Sequence, residues 1–198
     1  LTLASGPYLR EHGLLAPRGA LYIARADDRA ALEAFQAMFA GSGVRLDRLG
    51  RAAMEGYVPG LRSDWDQALF EPTCADIDVA GLHQHYLAGA RKGGADLRTS
   101  ARLARAEREG QAWRLDFGKA GEARAALLVD AAGAWADEVA ALAGVGPLGI
   151  TPLRRIIAQL RTDPRPAADL PLVLDINGGF YFKPESGRLW LSPHDETP

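Results

Sequence analysis

"LLVDAAGAWADEVAALAGV", Leu127 to Val145, runs from an apolar segment through a patch of very small residues into a helix-like pattern opened by a tryptophan. It predicts a buried strand handing over to a helix at 134–143, with Trp135, Val139, Leu142 and Ala143 on one helix face. Ala131, Ala132 and Gly133 at the handover have two readings. Either a ligand phosphate or ring comes close to the backbone where helix N–H groups are free, or the helix packs tightly on a sheet.

Upstream, "ARLARAER", "AWRLDFG" and "EARAALLVDA" read as three successive strands joined at Gly110 and at "GKAG". Before them, Val79, Leu82, Tyr86 and Ala90 repeat at helical spacing behind Asp78, a candidate N-cap. Gly93-Gly94 end that helix ahead of a short predicted strand, "ADLRTS". Nearer the start, "GALYIA" reads as a strand and "DDRAALEAFQAMFAGSG" as a helix, with Asp27 or Asp28 as cap and Leu32, Phe35, Met38 and Phe39 as its apolar stripe. "RAAMEGYVPGL" reads as a short helix broken by Pro59, and "QALFEPT" as a strand. After the helix of the opening stretch the chain becomes β-rich: "ITPLRRIIAQL", "PLVLDI", "GGFYFKPE" and "RLWLS" are short strand candidates. The organisation is α/β plus α+β, an α/β centre whose two flanks could form one discontinuous domain.

At 198 residues, 47% hydrophobic and 24% charged, the chain can bury a proper core. Its net charge of −2 with interspersed signs presents no basic face for nucleic acid and no polybasic run for anionic lipid. No segment reaches bilayer-spanning length, so no integral membrane segment is expected. Cys74 is the only cysteine, which excludes an internal disulfide and a Cys-based metal site and favours a reducing, cytoplasmic compartment.

"GVGPLG", Gly144–Gly149, matches G-x-G-x-x-G literally but follows a helix, contains Pro147 and leads into β-branched residues, so it reads as a linker. His83 and His85 stand two apart on a predicted helix and face different sides, which suits solvation or packing better than chelation; no metal site is expected. No catalytic nucleophile or paired acid and base stands out.

The ordered run "DIDVAGLHQHYLAGARKGGADLRTSARLARAEREGQAWRL", then "LLVDAAGAWADEVAALAGV" and "PLGITPLRR", resembles the D-amino acid oxidase-like (DAO) FAD-dependent oxidoreductases. "TPLRR" and "FYFKPESG" resemble most closely the bacterial D-arginine dehydrogenase-like members. The resemblance implies a partial FAD-binding (glutathione-reductase-like) domain with an antiparallel-sheet substrate domain, both incomplete. Residues 73–149 would belong to the FAD domain, and 1–72 and 150–198 to the substrate domain. It implies FAD as cofactor, with Leu103, Ala132, Gly133 and Trp135 on the cofactor side, and Arg155 and Tyr181 facing the substrate, Arg154 being the alternative if the register slips by one.

Under this resemblance an amine or amino acid, in particular a D-amino acid, loses its α-hydrogen as hydride to the flavin, giving an imine and then a 2-oxo acid. No protein base is implied. Relatives selective for D-arginine carry an acidic residue near the start of the strand that here reads "PRGALYIA", where this chain has Ala20, so a cationic side chain is not expected in the substrate. The chain lacks an initiator Met and the glycine-rich phosphate loop, and stops after "SPHDETP". The expectation is an internal fragment that alone binds FAD poorly and is inactive. Two alternatives stay open: a non-catalytic binding module that keeps the fold without cofactor, and a flavoenzyme acting on an N-methyl amine or a hydroxy acid.

Overall fold

The computed structural model describes residues 2–195, which form two compact units, one from 2–86 and 155–195 and one from 87–154. The first unit holds a seven-stranded sheet drawn from both ends of the chain. From its N-terminal part come β2 (Ala20–Ala24), β3 (Asp47–Gly50) and β4 (Gln67–Glu71); from its C-terminal part come β9 (Ala158–Leu160), β10 (Leu172–Asp175), β11 (Tyr181–Glu185) and β12 (Arg188–Ser192). The order is β3-β4-β2-β10-β11-β12-β9. Every neighbouring pair is antiparallel except β2 and β10, which are parallel, with Leu172 to Asp175 opposite Ala20 to Ile23. A parallel pair needs a long crossover. Here everything between the two strands serves as that crossover, and the sequence flanks join in one sheet along it. β1 (Leu15–Pro17) and β5 (Ala75–Ile77) form a separate antiparallel ribbon.

β2 is covered on both faces, which explains its unbroken apolar run. Leu21 and Ile23 pack with Met54, Val58, Trp65, Ala68 and Val173 on one side. Ala24 and half-buried Tyr22 meet Leu32, Leu69 and Phe35 on the other. Alternation along the strand sends neighbouring side chains to opposite faces, so one strand serves two cores. The first core lies under α3 (Arg51–Tyr57), whose Arg51 donates to the carbonyls of Arg62 and Trp65 and folds the chain back after Pro59. The second lies under α2 (Arg29–Met38). Met38 is 73% exposed, because it ends the helix beyond the sheet and so drops out of the expected stripe.

Helix starts divide the two predicted caps. Asp78 accepts the N–H of Gly81 (2.8 Å) and caps α4 (Val79–Lys92) as expected. Asp28 precedes α2 but turns its carboxylate backward, accepting the N–H of Arg25 (2.9 Å) and the side-chain amide of Asn177 (2.8 Å). Those two bonds, led by the Arg25 amide, hold Asp28 below the ordinary carboxylate range. α1 (Thr2–Glu11) opens the chain, and its Tyr8 and His12 pack against His85 of α4, with the Tyr8 hydroxyl bonded to His85 Nε2. Packing is thus the role of His85. Among the described residues no helix is long and apolar enough to cross a membrane.

An ion cluster ties the ribbon to the large sheet. Asp76 on β5 accepts from Arg18 (2.7 Å) and from Lys183 on β11 (2.8 Å), while Arg18 also donates to the carbonyls of Ala168 (2.7 Å) and Leu170 (3.0 Å). Burial pushes the Asp76 carboxyl up, but Lys183 and Arg18 outweigh it and hold the group below its ordinary value.

The second unit contains an antiparallel sheet of β6 (Arg105–Glu109), β7 (Ala112–Asp116) and β8 (Glu122–Ala125), followed by α5 (Ala136–Leu142). The predicted meander is present, but its third strand stops at Ala125. Leu127 and Val129 are 75% and 72% exposed, not buried, and among the described residues no strand pairs with them. The predicted strand at 95–100 is likewise irregular, with Asp96 paired locally to Arg98. In both places the side-chain pattern suits a strand, yet a strand forms only where a neighbour takes its N–H and C=O groups.

Candidate functional site

The small-residue turn of the opening stretch is built by local bonds. Asp130 Oδ1 accepts the N–H of Ala132 (3.0 Å), Gly133 takes φ +58°, and the N–H of Trp135 returns to the Ala132 carbonyl (3.1 Å). Gly133–Trp135 is therefore a 3-10 turn leading into α5, two residues short of the helix expected from 134. A Cβ added at Gly133 would meet nothing within 4 Å. The glycine is required here by its left-handed backbone and not by tight packing of a helix on a sheet.

Trp135, 63% exposed, forms one wall of an open cavity of about 700 Å³ together with Val139 and Leu142 from the same helix face. Leu103 and Ala104, from the segment leading into β6, line the same cavity, as do Arg102 and Glu138, which form an exposed ion pair (3.5 Å). Leu103 and Trp135, two of the expected cofactor-side residues, thus meet in one cavity, while Ala132 and Gly133 form the turn that presents Trp135. An exposed indole face, apolar walls and open space over Gly133 fit a flat aromatic ring system, such as the rings of a dinucleotide.

The amides of Gly144, Val145, Leu148 and Gly149 in "GVGPLG" are all bonded within the chain. The segment folds back onto α5, where Asp137 in the first turn accepts the N–H groups of Leu148 (2.8 Å), Gly149 (3.0 Å) and Ile150 (2.9 Å). The linker reading stands, with its anchor identified. The sequence signal for Asp137 was an acid in a first helical turn, favourable to the dipole there. Asp137→Ala is expected to cost about 1 kcal/mol, since the freed amides can reach water, and to abolish exchange protection at 148–150 in amide hydrogen-exchange experiments.

The expected substrate residues lie in the first unit. Tyr181 opens β11, opposite Leu174 of β10 and Ser192 of β12, and its half-buried ring meets His194 edge-on at 4.9 Å. Phe180 and Phe182 join the core beside Trp65, so Tyr181 and Lys183 share the opposite face by alternation. Arg155 precedes β9, whereas Arg154, the register alternative, is the last residue of the second unit's main segment. Ala20 is fully buried in central strand β2, opposite Glu71 and Leu172. Cys74 is a half-buried free thiol, pushed up chiefly by burial. Among the described residues no group of three or more His, Cys, Asp or Glu could hold a metal ion.

A sequence model of the FAD dependent oxidoreductase family, DAO, matches residues 7–198. The chain belongs to this family. Mitochondrial dimethylglycine dehydrogenase from Mus musculus is 32% identical to the DAO chain over 132 residues, 64% of this chain and 15% of the mouse protein. Glycine oxidase from Geobacillus kaustophilus has the same fold at a TM-score of 0.73 and 22% identity, covering 100% of this chain and 54% of its own. L-alpha-glycerophosphate oxidase from Mycoplasma pneumoniae, solved with FAD bound, matches at a TM-score of 0.80 and 14% identity over 96% of this chain and 54% of its own. The DAO chain thus spans about half the length of these solved relatives and 15% of the mouse protein. The fold class expected from the sequence, a mixed α/β chain with a largely antiparallel sheet, is the fold of these FAD-dependent enzymes.

Proposed function

We propose that this chain supplies the substrate face and part of the FAD site of an oxidoreductase that oxidises an amine or amino acid. The observation that carries the reading is the meeting of Leu103 and Trp135 in one apolar, ring-sized cavity within a DAO-family chain. Residues 73–149 would contribute to the FAD domain, and 1–72 and 150–198 to the substrate domain. Leu103 and Trp135 would hold a ring of FAD, with Ala132 and Gly133 leaving room beside it. FAD, when bound, supplies the hydride acceptor, so that the amine leaves as an imine that hydrolyses to a 2-oxo acid.

The chain's own groups bind and orient. The Arg155 guanidinium can take a carboxylate bidentately, and the Tyr181 phenol can donate a further bond while lining the pocket. A D-amino acid with a small or neutral side chain is the favoured substrate. "TPLRR" and "FYFKPESG" support kinship with D-arginine dehydrogenase-like enzymes, while buried Ala20 offers no partner to a cationic side chain. The 32% identity to dimethylglycine dehydrogenase supports an N-methyl amine as second reading. Initial rates over D-amino acids, glycine, sarcosine and 2-hydroxy acids separate the two.

The full-length protein is expected to purify with bound flavin absorbance. Leu103→Glu, which sets a carboxylate in an apolar wall, is expected to weaken FAD binding at least roughly tenfold in a fluorescence titration. A full-length protein that purifies colourless and gains no thermal stability from added FAD overturns the proposal.

A further inference from the structure

We propose that His194 and Asp195 are positioning residues that lock Tyr181 and Arg155 in place; this rests on the reading of those two residues as the substrate-binding pair. β12 lies between β11, which carries Tyr181, and β9, so the segment that leaves its end passes between Tyr181 and the residues that lead from Arg155 into β9. Tyr181 stands opposite Ser192, and Ala158 opposite Leu191. Continuing the second register by simple counting brings 155–157 level with 192–194. The two flanking strands are about 10 Å apart, two strand spacings, a gap that an arginine and a tyrosine reaching inward can close on one carboxylate.

Residues 193–195 touch both sides. His194 takes φ +53°, an unfavourable backbone for a residue with a Cβ, which persists only where its surroundings enforce it. Here Ser192 Oγ accepts its N–H (3.3 Å), its Nδ1 donates to the Gly178 carbonyl (2.7 Å), and its ring packs edge-on against Tyr181 at 64°. A carbonyl can only accept, so the proton sits on Nδ1 and the ring orientation is set. The imidazole thereby fixes the phenol. On the other side, Asp195 Oδ1 accepts the N–H of Ile156 (2.9 Å), pinning the backbone directly after Arg155. One three-residue segment holds both members of the pair, though neither His194 nor Asp195 needs to touch substrate.

In the full-length protein, with the best substrate of the panel above, Asp195→Ala is expected to raise KM about tenfold with kcat within about twofold. Asp195→Asn, whose amide oxygen still accepts the Ile156 N–H, should bring KM back to within about threefold. His194→Ala should also raise KM, and His194→Phe, which restores a ring against Tyr181, should recover part of the loss. Two readouts are independent of turnover. Exchange protection of the Ile156 amide is lost in Asp195→Ala and kept in Asp195→Asn, and the calorimetric dissociation constant of acetate, a bare carboxylate probe, rises in parallel with KM. If Arg155→Ala raises KM but Asp195→Ala and His194→Ala do not, the positioning role is wrong while the substrate assignment survives. If Arg155→Ala leaves KM unchanged, both fall. A melting temperature that drops in step with kcat in every variant, Asp195→Asn included, marks a merely structural role and also overturns the proposal.

Discussion

Arg155→Ala in the full-length protein is expected to raise KM for an amino-acid substrate roughly hundredfold. A hydrogen bond to a charged group contributes about 1.5–3 kcal/mol, and a bidentate guanidinium–carboxylate pair makes two of them, which puts the expected loss in the upper part of that range. At 1.4 kcal/mol per decade this is close to two decades in binding. Arg155→Lys keeps the charge but not the planar fork, and should recover about one decade. The kcat should change much less, because in the proposed pose the guanidinium would grip a carboxylate that does not react. Arg154→Ala serves as the register control and should stay within about threefold. Should Arg154→Ala take the loss instead, the substrate arginine is one position earlier, and an unchanged KM in both variants removes the carboxylate role from this motif.

Asp76→Ala should destabilise the first unit by about 2–3 kcal/mol. Removing one member of a buried ion pair costs about 3–5 kcal/mol because its partner is left uncompensated. The lower figure applies because Arg18 keeps its bonds to Ala168 and Leu170, Lys183 keeps Glu185 at 3.2 Å, and all three side chains retain some solvent contact.

The cluster also sets two pH limits. Asp76 is held below its ordinary 3.8, so its contribution is present above that value and is lost as pH falls below it toward the folded pKa. Burial pushes the Lys183 ammonium down, but Asp76 and Glu185 outweigh it and raise it above its ordinary 10.5. Its contribution is therefore complete below 10.5 and is lost as pH rises beyond. Asp76→Ala should remove the acid limb and weaken the alkaline one. Amide exchange in β2, β10 and β11 measures this within the first unit, where a single melting curve of a two-unit chain would mix transitions. A variant with unchanged protection in these strands would show that the cluster contributes nothing net.

The elements with strong local signals were legible in the sequence. α2 and α4 follow from their 3.6-residue periodicity, the β6–β7 hairpin from its turn at Gly110, and β10, β11 and β12 from short apolar runs separated by Pro, Gly and Asn. Strand patterning at 95–100 and 127–129 misled, because alternation or apolarity states a preference that only a hydrogen-bonding neighbour can realise. Asp78 and Asp28 show the same limit for caps. Both residue types suit an N-cap, but a long-range amide, Asn177, and the Arg25 N–H draw the Asp28 carboxylate away.

The candidate site divides along that line. Leu103, Trp135, Arg155 and Tyr181 were named from an ordered run of motifs. His194, Asp195, Asp76 and Asp137 carried no motif, since the partners that give them their roles, Gly178, Ile156, Lys183 and Leu148, lie between 11 and 107 residues away in the chain.

The sequence by itself determined the family, the mixed α/β class and the identity of the small-residue turn, because each is written in local pattern and in the order of motifs along the chain. Only the tertiary structure decided that the two flanks close into one sheet through the parallel β2–β10 pair, that Gly133 is there for its backbone angle, and that Leu103 and Trp135 line one cavity. Those outcomes depend on which distant strands, carbonyls and carboxylates satisfy one another, and such pairings are chosen by the packed chain as a whole.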